Sequence, residues 1–545
     1  MFFILCVRPY NQSNFKNIVD KIIFYFQESN IYKKIDAYFG KNPSFLSSKF
    51  YGRINKGVSR LNTLGNQLNS LMLRISLNSK LIWVIKKFMS RGYKNNIYVA
   101  ISVGILIGVF NKDFLMMYFV VVSGVSLYFV DYQRVVYLLA LYPVLDYVIR
   151  LYVPPLGNMW DELLLVMMYG TWAYKWIFYR NKNSFKYSPL DLPILFFLFS
   201  MVCVFIANYL FINVAVAGLR ATIQYVLWFY AVFQIIDSEK TARKICLIFI
   251  LVVGMMGIHG VYQYIIGVEM PASWVDYKEA EVRTRVFSIL TSPNILGSLM
   301  TLALPLTMSF GNISKKFNQK MLFYFLALMM GLTLIFTFSR GAWVGFGFAI
   351  CMYVFLKDKR LFIPVIAVSL FALILVPSIG NRIAYMLSIE YIESSLTAGR
   401  LVRWMTGLEI LADNPIFGLG HGRFGGAVAI NNSLAYLLNG VVVNTYYMDN
   451  YYLRIAVETG LFGLFFFMMM MFQIVVNGIR TIRITASKEH REIEIGILSG
   501  LFGVIIHNFV ENVFEVPMMT SCFWLLVAVL MYYWYVHYNA RNRGI

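Results

Sequence analysis

A chain of 545 residues that is 59% hydrophobic and 17% aromatic, with 14% charged residues and a mean hydropathy of +0.64, cannot bury so much apolar surface as a water-soluble protein. Its formal charge of +21 suggests a nucleic-acid partner, but the basic residues lie beside and between apolar runs, which excludes that class and points to a membrane surface. The five cysteines (Cys6, Cys203, Cys246, Cys351 and Cys522) have neither metal nor redox spacing.

Residues 1–95 hold 16 Lys and Arg against three acids, Asp20, Glu28 and Asp36, with amphipathic runs such as LIWVIKKFM. A segment of this kind lies on the anionic cytoplasmic face of a bilayer. The first residues lack the pattern of a cleaved signal peptide. From residue 96 onward, apolar runs of about 20 residues recur, the length that crosses a hydrocarbon core of about 30 Å. Spans are expected at 96–111, 114–130, 135–152, 161–179, 190–209, 213–236, 243–267, 289–310, 320–338, 341–357, 361–379, 450–475, 493–513 and 517–537. The first two are short enough to form one re-entrant pair, so the expected fold is an all-α polytopic integral membrane protein with 12–14 transmembrane helices.

Alternate connections, among them YRNKNSFKYSP, DSEKTARK, GNISKKFNQK, KDKR and NGIRTIRITASKEHR, carry Lys and Arg and are cytoplasmic by the positive-inside rule, as are both ends of the chain. The chain then divides into a basic cytoplasmic region (1–95), membrane helices (96–267), an extracytoplasmic loop (268–288), further helices (289–379), a large extracytoplasmic loop (380–449), C-terminal helices (450–537) and a cytoplasmic tail (538–545). On this assignment 36 of the 48 basic residues lie inside, and ten of the remaining 12 are arginines: Arg150, Arg220, Arg283, Arg285, Arg340, Arg382, Arg400, Arg403, Arg423 and Arg454. Arginine grips phosphate with a planar fork and stays charged when half-buried. Interfacial snorkelling explains some of the ten, but poorly explains Arg220, well inside its span, or Arg340, which interrupts a long apolar run. Together they suggest an outward-facing anion site.

Within the large loop, TAGRLVRWMTGLEILADNP reads as an amphipathic helix with Leu401, Trp404, Leu408 and Leu411 on one face, stopped by Asn414-Pro415. Arg400 and Arg403 share another face. The glycine-rich PIFGLGHGRFGG that follows permits close backbone approach and is expected to be mobile.

Five blocks in order, RVFSILTSPNILGSLM, FTFSRGAWVGF, GRLVRWMTGLEILADNPIFGLGHGRFG, MDNYYLRIAVETGLFGLF and HNFVENVFEVP, resemble the bacterial O-antigen ligase/polymerase superfamily of Wzy-type polymerases and WaaL-type ligases. The resemblance covers Arg285 to Pro517 and leaves the N-terminal region aside. It implies a GT-C-like glycosyltransferase of the bacterial plasma (inner) membrane. Such an enzyme acts on the extracytoplasmic side, takes an undecaprenyl-pyrophosphate-linked glycan as donor and acceptor, works among membrane lipids, and is associated with flippase and chain-length regulator proteins. It needs no cofactor. Arg285 matches the arginine before the family's Pro-Asn pair, here Pro293-Asn294, and Arg340 that of the Ser-Arg-Gly block, with Arg220 a looser match. Where ligases carry histidine in HNxYL, this chain has Asp449, which favours a polymerase.

Displacing a pyrophosphate-linked sugar requires positive charge on the leaving group and a base for the attacking hydroxyl. Arg285 and Arg340 are read as supplying the first and Asp449 the second, with His421 as the alternative base. Arg220, Arg283, Arg400, Arg403, Arg423, Asn294, Ser339 and Asn450 complete the expected substrate-binding set, although Asn450 and Asp449 also suit a helix N-cap. His507 and Glu511, four residues apart near an outer helix end, are a third possibility for the base but read first as a structural hydrogen-bonded pair, and His259 and Gln263 as bundle packing or sugar contacts. No metal is expected, because the five histidines have no ligand spacing. Two alternatives stay open: a ligase moving finished glycan to another acceptor, and a flippase, which the clustering of charge toward one face disfavours.

Overall fold

The computed structural model describes residues 134–157, 159–178, 186–208, 211–269, 284–290, 292–363, 388, 395–396, 399–438, 441–444 and 447–542. The basic region 1–95, the expected spans at 96–111 and 114–130, most of the one at 361–379, and Arg283 lie outside these residues.

In chain order the helices are α1 (Arg134–Ala140), α2 (Tyr142–Tyr152), α3 (Pro154–Gly157), α4 (Trp160–Phe178), α5 (Asp191–Ala207), α6 (Ile212–Ile235), α7 (Glu239–Ile266), α8 (Pro293–Ile313), α9 (Phe317–Phe336) and α10 (Arg340–Lys357). The loop segment holds α11 (Arg400–Asp413), α12 (Ala427–Asn431), β1 (Ala435–Leu438) and β2 (Val441–Asn444), and is followed by α13 (Tyr451–Ile484), α14 (Lys488–His507) and α15 (Pro517–Asn542). Six of the described helices, α6, α7, α8, α9, α13 and α15, are long and apolar enough to cross a membrane, and the chain is an all-α polytopic membrane protein.

Local chemistry explains where the helices start. Ser238, Ser339, Asn450 and Ser487 each turn a side-chain oxygen onto a free N–H of the first turn of α7, α10, α13 and α14. The span expected at 135–152 is broken, because Pro143, in the first turn of α2, cannot continue a helix from α1. The connection expected at 477–491 is helical as far as Ile484: beyond its break at Gly460, α13 runs on for 24 residues, about 36 Å, and outruns an apolar core of about 30 Å.

The bundle is built around α8 and α15, whose most apolar windows are 89% and 83% buried, against 28% for the rim helix α9. Between α10 and α14 a Cβ on Gly345 would lie 2.8 Å from the Gly503 carbonyl oxygen, and one on Gly503 2.7 Å from that of Gly345. Small residues allow backbones to meet where lipid gives helices no hydrophobic reason to associate.

The loop segment departs from expectation in two ways. It contains an antiparallel hairpin, with Ala435 opposite Asn444 and Leu438 opposite Val441. Leu408 is exposed, and the buried seam of α11 is Gly407 and Ile410, flanked by Trp404 and Leu411 and packed on Phe424, Met448 and Val457. Gly407 admits Met448 and Leu453, so the helix presents its small residue to them.

Residues 415–420 add backbone bonds to a break in α13. Leu419 N donates to Val457 O, Gly420 N to Glu458 O and Leu461 N to Pro415 O, at 2.8–2.9 Å. The break is Gly460, at φ 68°, ψ −176°, a region nearly closed to other residues. Gly460→Ala should cost about 1–3 kcal/mol in backbone strain alone, and its Cβ would also strike the Ile416 carbonyl. A clear drop in the melting temperature of detergent-purified protein is expected, and an unchanged melt would contradict this account.

Candidate functional site

Four irregular stretches meet at one end of the bundle: 284–290 after α7, the turn 337–339 before α10, 447–450 before α13, and 508–512 after α14. The first is fastened by α7. Buried Gln263 accepts at Oε1 from Phe287 N (3.1 Å) and Ser288 N (2.7 Å) and donates from Nε2 to Ser288 O (3.3 Å), while His259 Nδ1 lies 3.0 Å from Ser288 Oγ. Ser288 and Phe338 both have positive φ (52° and 49°), and Val286 N bridges the two turns by donating to Phe336 O. Gln263 therefore clamps the turn that carries Arg285.

Arg285 Nε donates to Thr337 O (2.9 Å) and Nη2 to Asn294 Oδ1 (3.0 Å). Asn294, in the first turn of α8, passes the connection on from Nδ2 to Glu511 Oε2 at 2.5 Å. Glu511 lies 3.6 Å from Arg400 Nη2, and Arg400 Nε is 3.8 Å from Asp449 Oδ2. Arg403 Nη1 closes on Asp449 Oδ2 at 2.5 Å and also donates to Tyr447 O (3.2 Å). Tyr447 Oη reaches Asn512 O at 3.2 Å. Five expected residues, Arg285, Asn294, Arg400, Arg403 and Asp449, thus stand in one continuous polar chain with Glu511 at its centre. Burial pushes Glu511 above the usual carboxylate range, partly countered by Arg400.

Ser339 and Arg340 begin α10 at this same end: Ser339 N donates to Thr337 Oγ1 and Ser339 Oγ accepts from Ala342 N. Asn450 is the cap of α13, accepting from Leu453 N at 3.0 Å. The His507–Glu511 pair does not form. The helix α14 ends at His507, whose Nδ1 turns inward to Ser298 Oγ (2.6 Å), and the following turn carries Glu511 away to Asn294.

Three expected residues are held by groups away from this chain. Arg220 pairs with Glu162 of α4 at 2.5 Å. Arg423 donates to Leu419 O (2.9 Å) and lies over Phe211, 4.7 Å from the ring centre. His421 belongs to no loose loop: it is fully buried, with Nε2 2.9 Å from Met201 O on α5, and the adjoining Gly422 is packed on Gly218 of α6. Burial lowers its pKa, so its ring is neutral and its role is to tie the loop to two helices.

Arg454 plays a structural part. Buried in α13, it pairs with Glu515 and Glu458, while Ala427 N donates to Glu515 Oε1 (2.7 Å) and Phe424 N to Glu458 Oε1 (3.3 Å). This charge cluster fastens 424–427 beside the site. The roles of Gln263 and Arg454 escape sequence reasoning, and Glu511, weighed there only as a partner of His507, stands instead between Asn294 and Arg400.

Residues 325–468 match the family model described as O-antigen ligase, about a quarter of the chain. The match takes in Ser339, Arg340, Arg400, Arg403, His421, Arg423, Asp449 and Asn450, and leaves Arg285, Asn294 and Glu511 outside. No curated protein matches the chain.

Gln263→Leu would remove the acceptor of the buried Ser288 N–H, at about 1–3 kcal/mol, and of the half-buried Phe287 N–H, and a lowered melting temperature is expected; no change would show that the turn stands without its clamp. For His421 the folded pKa lies below the unfolded value of about 6.5, so its stabilising contribution is complete above that pH and is lost as pH falls through the folded value. The melting temperature should therefore fall more steeply on acidification in the wild type than in His421→Asn, and parallel curves would contradict the burial argument.

Proposed function

Residues 325–468 belong to the O-antigen ligase/polymerase superfamily, and from that premise we propose that this protein is a membrane glycosyltransferase that polymerises undecaprenyl-pyrophosphate-linked repeat units of a surface polysaccharide on the extracytoplasmic face of the bacterial plasma membrane. The observation that carries the proposal is the polar chain Arg285–Asn294–Glu511–Arg400–Asp449–Arg403.

Its charges suit the task. Arg400 is shared between two carboxylates at 3.6 and 3.8 Å, longer than direct hydrogen bonds, so neither saturates its fork. A lipid pyrophosphate offers more charge and better geometry, and it draws Arg400 and Arg403 away from Asp449. Binding the donor then frees the carboxylate that takes the proton from the attacking hydroxyl. Arg285 and Arg340, at the same end, add charge for the departing pyrophosphate in place of a metal ion. Direct displacement of this kind inverts the donor's anomeric carbon. Arg220 and Arg423, held by Glu162 and Phe211, serve the walls rather than the leaving group.

Asp449, where ligases have histidine, supports a polymerase over a ligase, and the gathering of charge at one bundle end supports an enzyme over a flippase. A second assignment of the base rests on one observation: Asn294 holds Glu511 at 2.5 Å in the middle of the chain, where Glu511 also reaches Arg400. In that assignment Glu511 takes the proton and Asp449 orients Arg403.

The test uses purified protein in detergent with a short lipid-pyrophosphate oligosaccharide as the only substrate, with products resolved by gel. A ladder is expected with chelator present, slowed about 10²–10³-fold by Arg340→Ala and by Asp449→Asn. If Asp449→Asn retains the ladder while Glu511→Gln loses it, the base is Glu511. A folded wild-type protein that makes no ladder, but transfers glycan to an added acceptor, is a ligase.

A further inference from the structure

The helices that carry the candidate site also converge at their other ends. Gln263 clamps the site from the end of α7, and Glu239 stands 24 residues earlier on it, about 36 Å away. His507 ends α14, and His490 lies 17 residues earlier, about 26 Å away. The helix α15 starts just beyond the site at Pro517 and carries His537 near its far end. There Glu239, His490 and His537 each place one ligand atom within 4.8 Å of the others.

We propose that these three side chains form a binding site for a divalent transition-metal ion of the zinc type, which staples α7, α14 and α15 at the end opposite the candidate active site. Two imidazoles and one carboxylate are a donor set suited to zinc, with a position left for water. Around such an ion the donors would stand about 3.3 Å apart, so each must move inward by less than about 1 Å. The His490 ring is poorly satisfied without it: its Nδ1 is buried and makes no hydrogen bond. His490 Nε2 stands 3.6 Å from Glu239 Oε2 and His537 Nε2 3.2 Å from Glu494 Oε1, the latter off a hydrogen-bonding line. Glu494 is fully buried and held by Thr485 Oγ1 at 2.8 and 2.9 Å, placed as the supporting carboxylate that ligating histidines use. The neighbouring cations are engaged elsewhere, Arg243 with Glu489 and Arg491 with the Thr485 carbonyl.

This site is independent of the proposed reaction, and its test needs no turnover. Full-length protein, purified in detergent without a histidine tag and stripped with chelator, is titrated with Co²⁺ followed by its visible ligand-field bands, and with Zn²⁺ by calorimetry. One ion per chain is expected, with a higher melting temperature when bound. Glu494→Gln should weaken binding about 10–100-fold, and the double variant His490→Ala/His537→Ala should abolish it. Should the double variant fail to fold, Glu239→Gln, at a partly exposed carboxylate, carries the same comparison. Absence of stoichiometric binding to the wild type, or full affinity in these variants, overturns the proposal.

Discussion

Two carboxylates, Asp449 and Glu511, organise one end of the bundle. Between them they reach Arg400 and Arg403 at the start of α11 and, through Asn294, Arg285 at the end of the connection from α7. Half-buried charges of one sign would repel and would pay a desolvation cost. Interleaving two acids among three arginines lets the segments approach, and removing one partner of such a pair leaves the other charge uncompensated. On the proposed function, the same interleaving lets a lipid pyrophosphate draw Arg400 and Arg403 away from the two carboxylates.

The scaffold behind this network is rigid for reasons of shape. The crossing of α10 and α14 is set by Gly345 and Gly503, and it holds Arg340 and the turn before it against the helix that leads to Glu511. The loop that brings Arg400 and Asp449 is joined to α13 by backbone bonds at the Gly460 break and by the buried Arg454 cluster. His421, tied to α5, closes its other side. A mobile glycine-rich loop was a reasonable expectation from composition. The glycines instead serve contact, since a Cβ on Gly420, Gly422, Gly425 or Gly426 would stand within 3 Å of Asn208, the Val214 carbonyl, Met448 or Arg454.

The limits of the described helices were largely legible, because a bilayer demands long apolar runs and caps and prolines mark their ends. The exceptions have local causes: Pro143 splits one expected span, and α13 continues past the apolar core. The hairpin has a sequence signature in Asn439-Gly440 between β-prone residues, a two-residue turn signal that the sequence reading of the loop, focused on its helix and its glycines, left unused. On α11 the periodicity located a helix but misplaced its inner face by one residue type, since Gly407 has no hydrophobic signature yet is what the packing selects.

By itself the sequence determined that this is a polytopic helical membrane protein, that arginines cluster away from its basic connections, and which motifs carry Arg285, Asn294, Arg340, Arg400, Arg403 and Asp449. These are properties of composition, period and short spacing. Which of them meet was decided only by tertiary structure. Glu511 lies 217 residues from Asn294 along the chain, and Glu239, His490 and His537 come from three separate helices. No local pattern records such proximities, because they arise where packed helices end together.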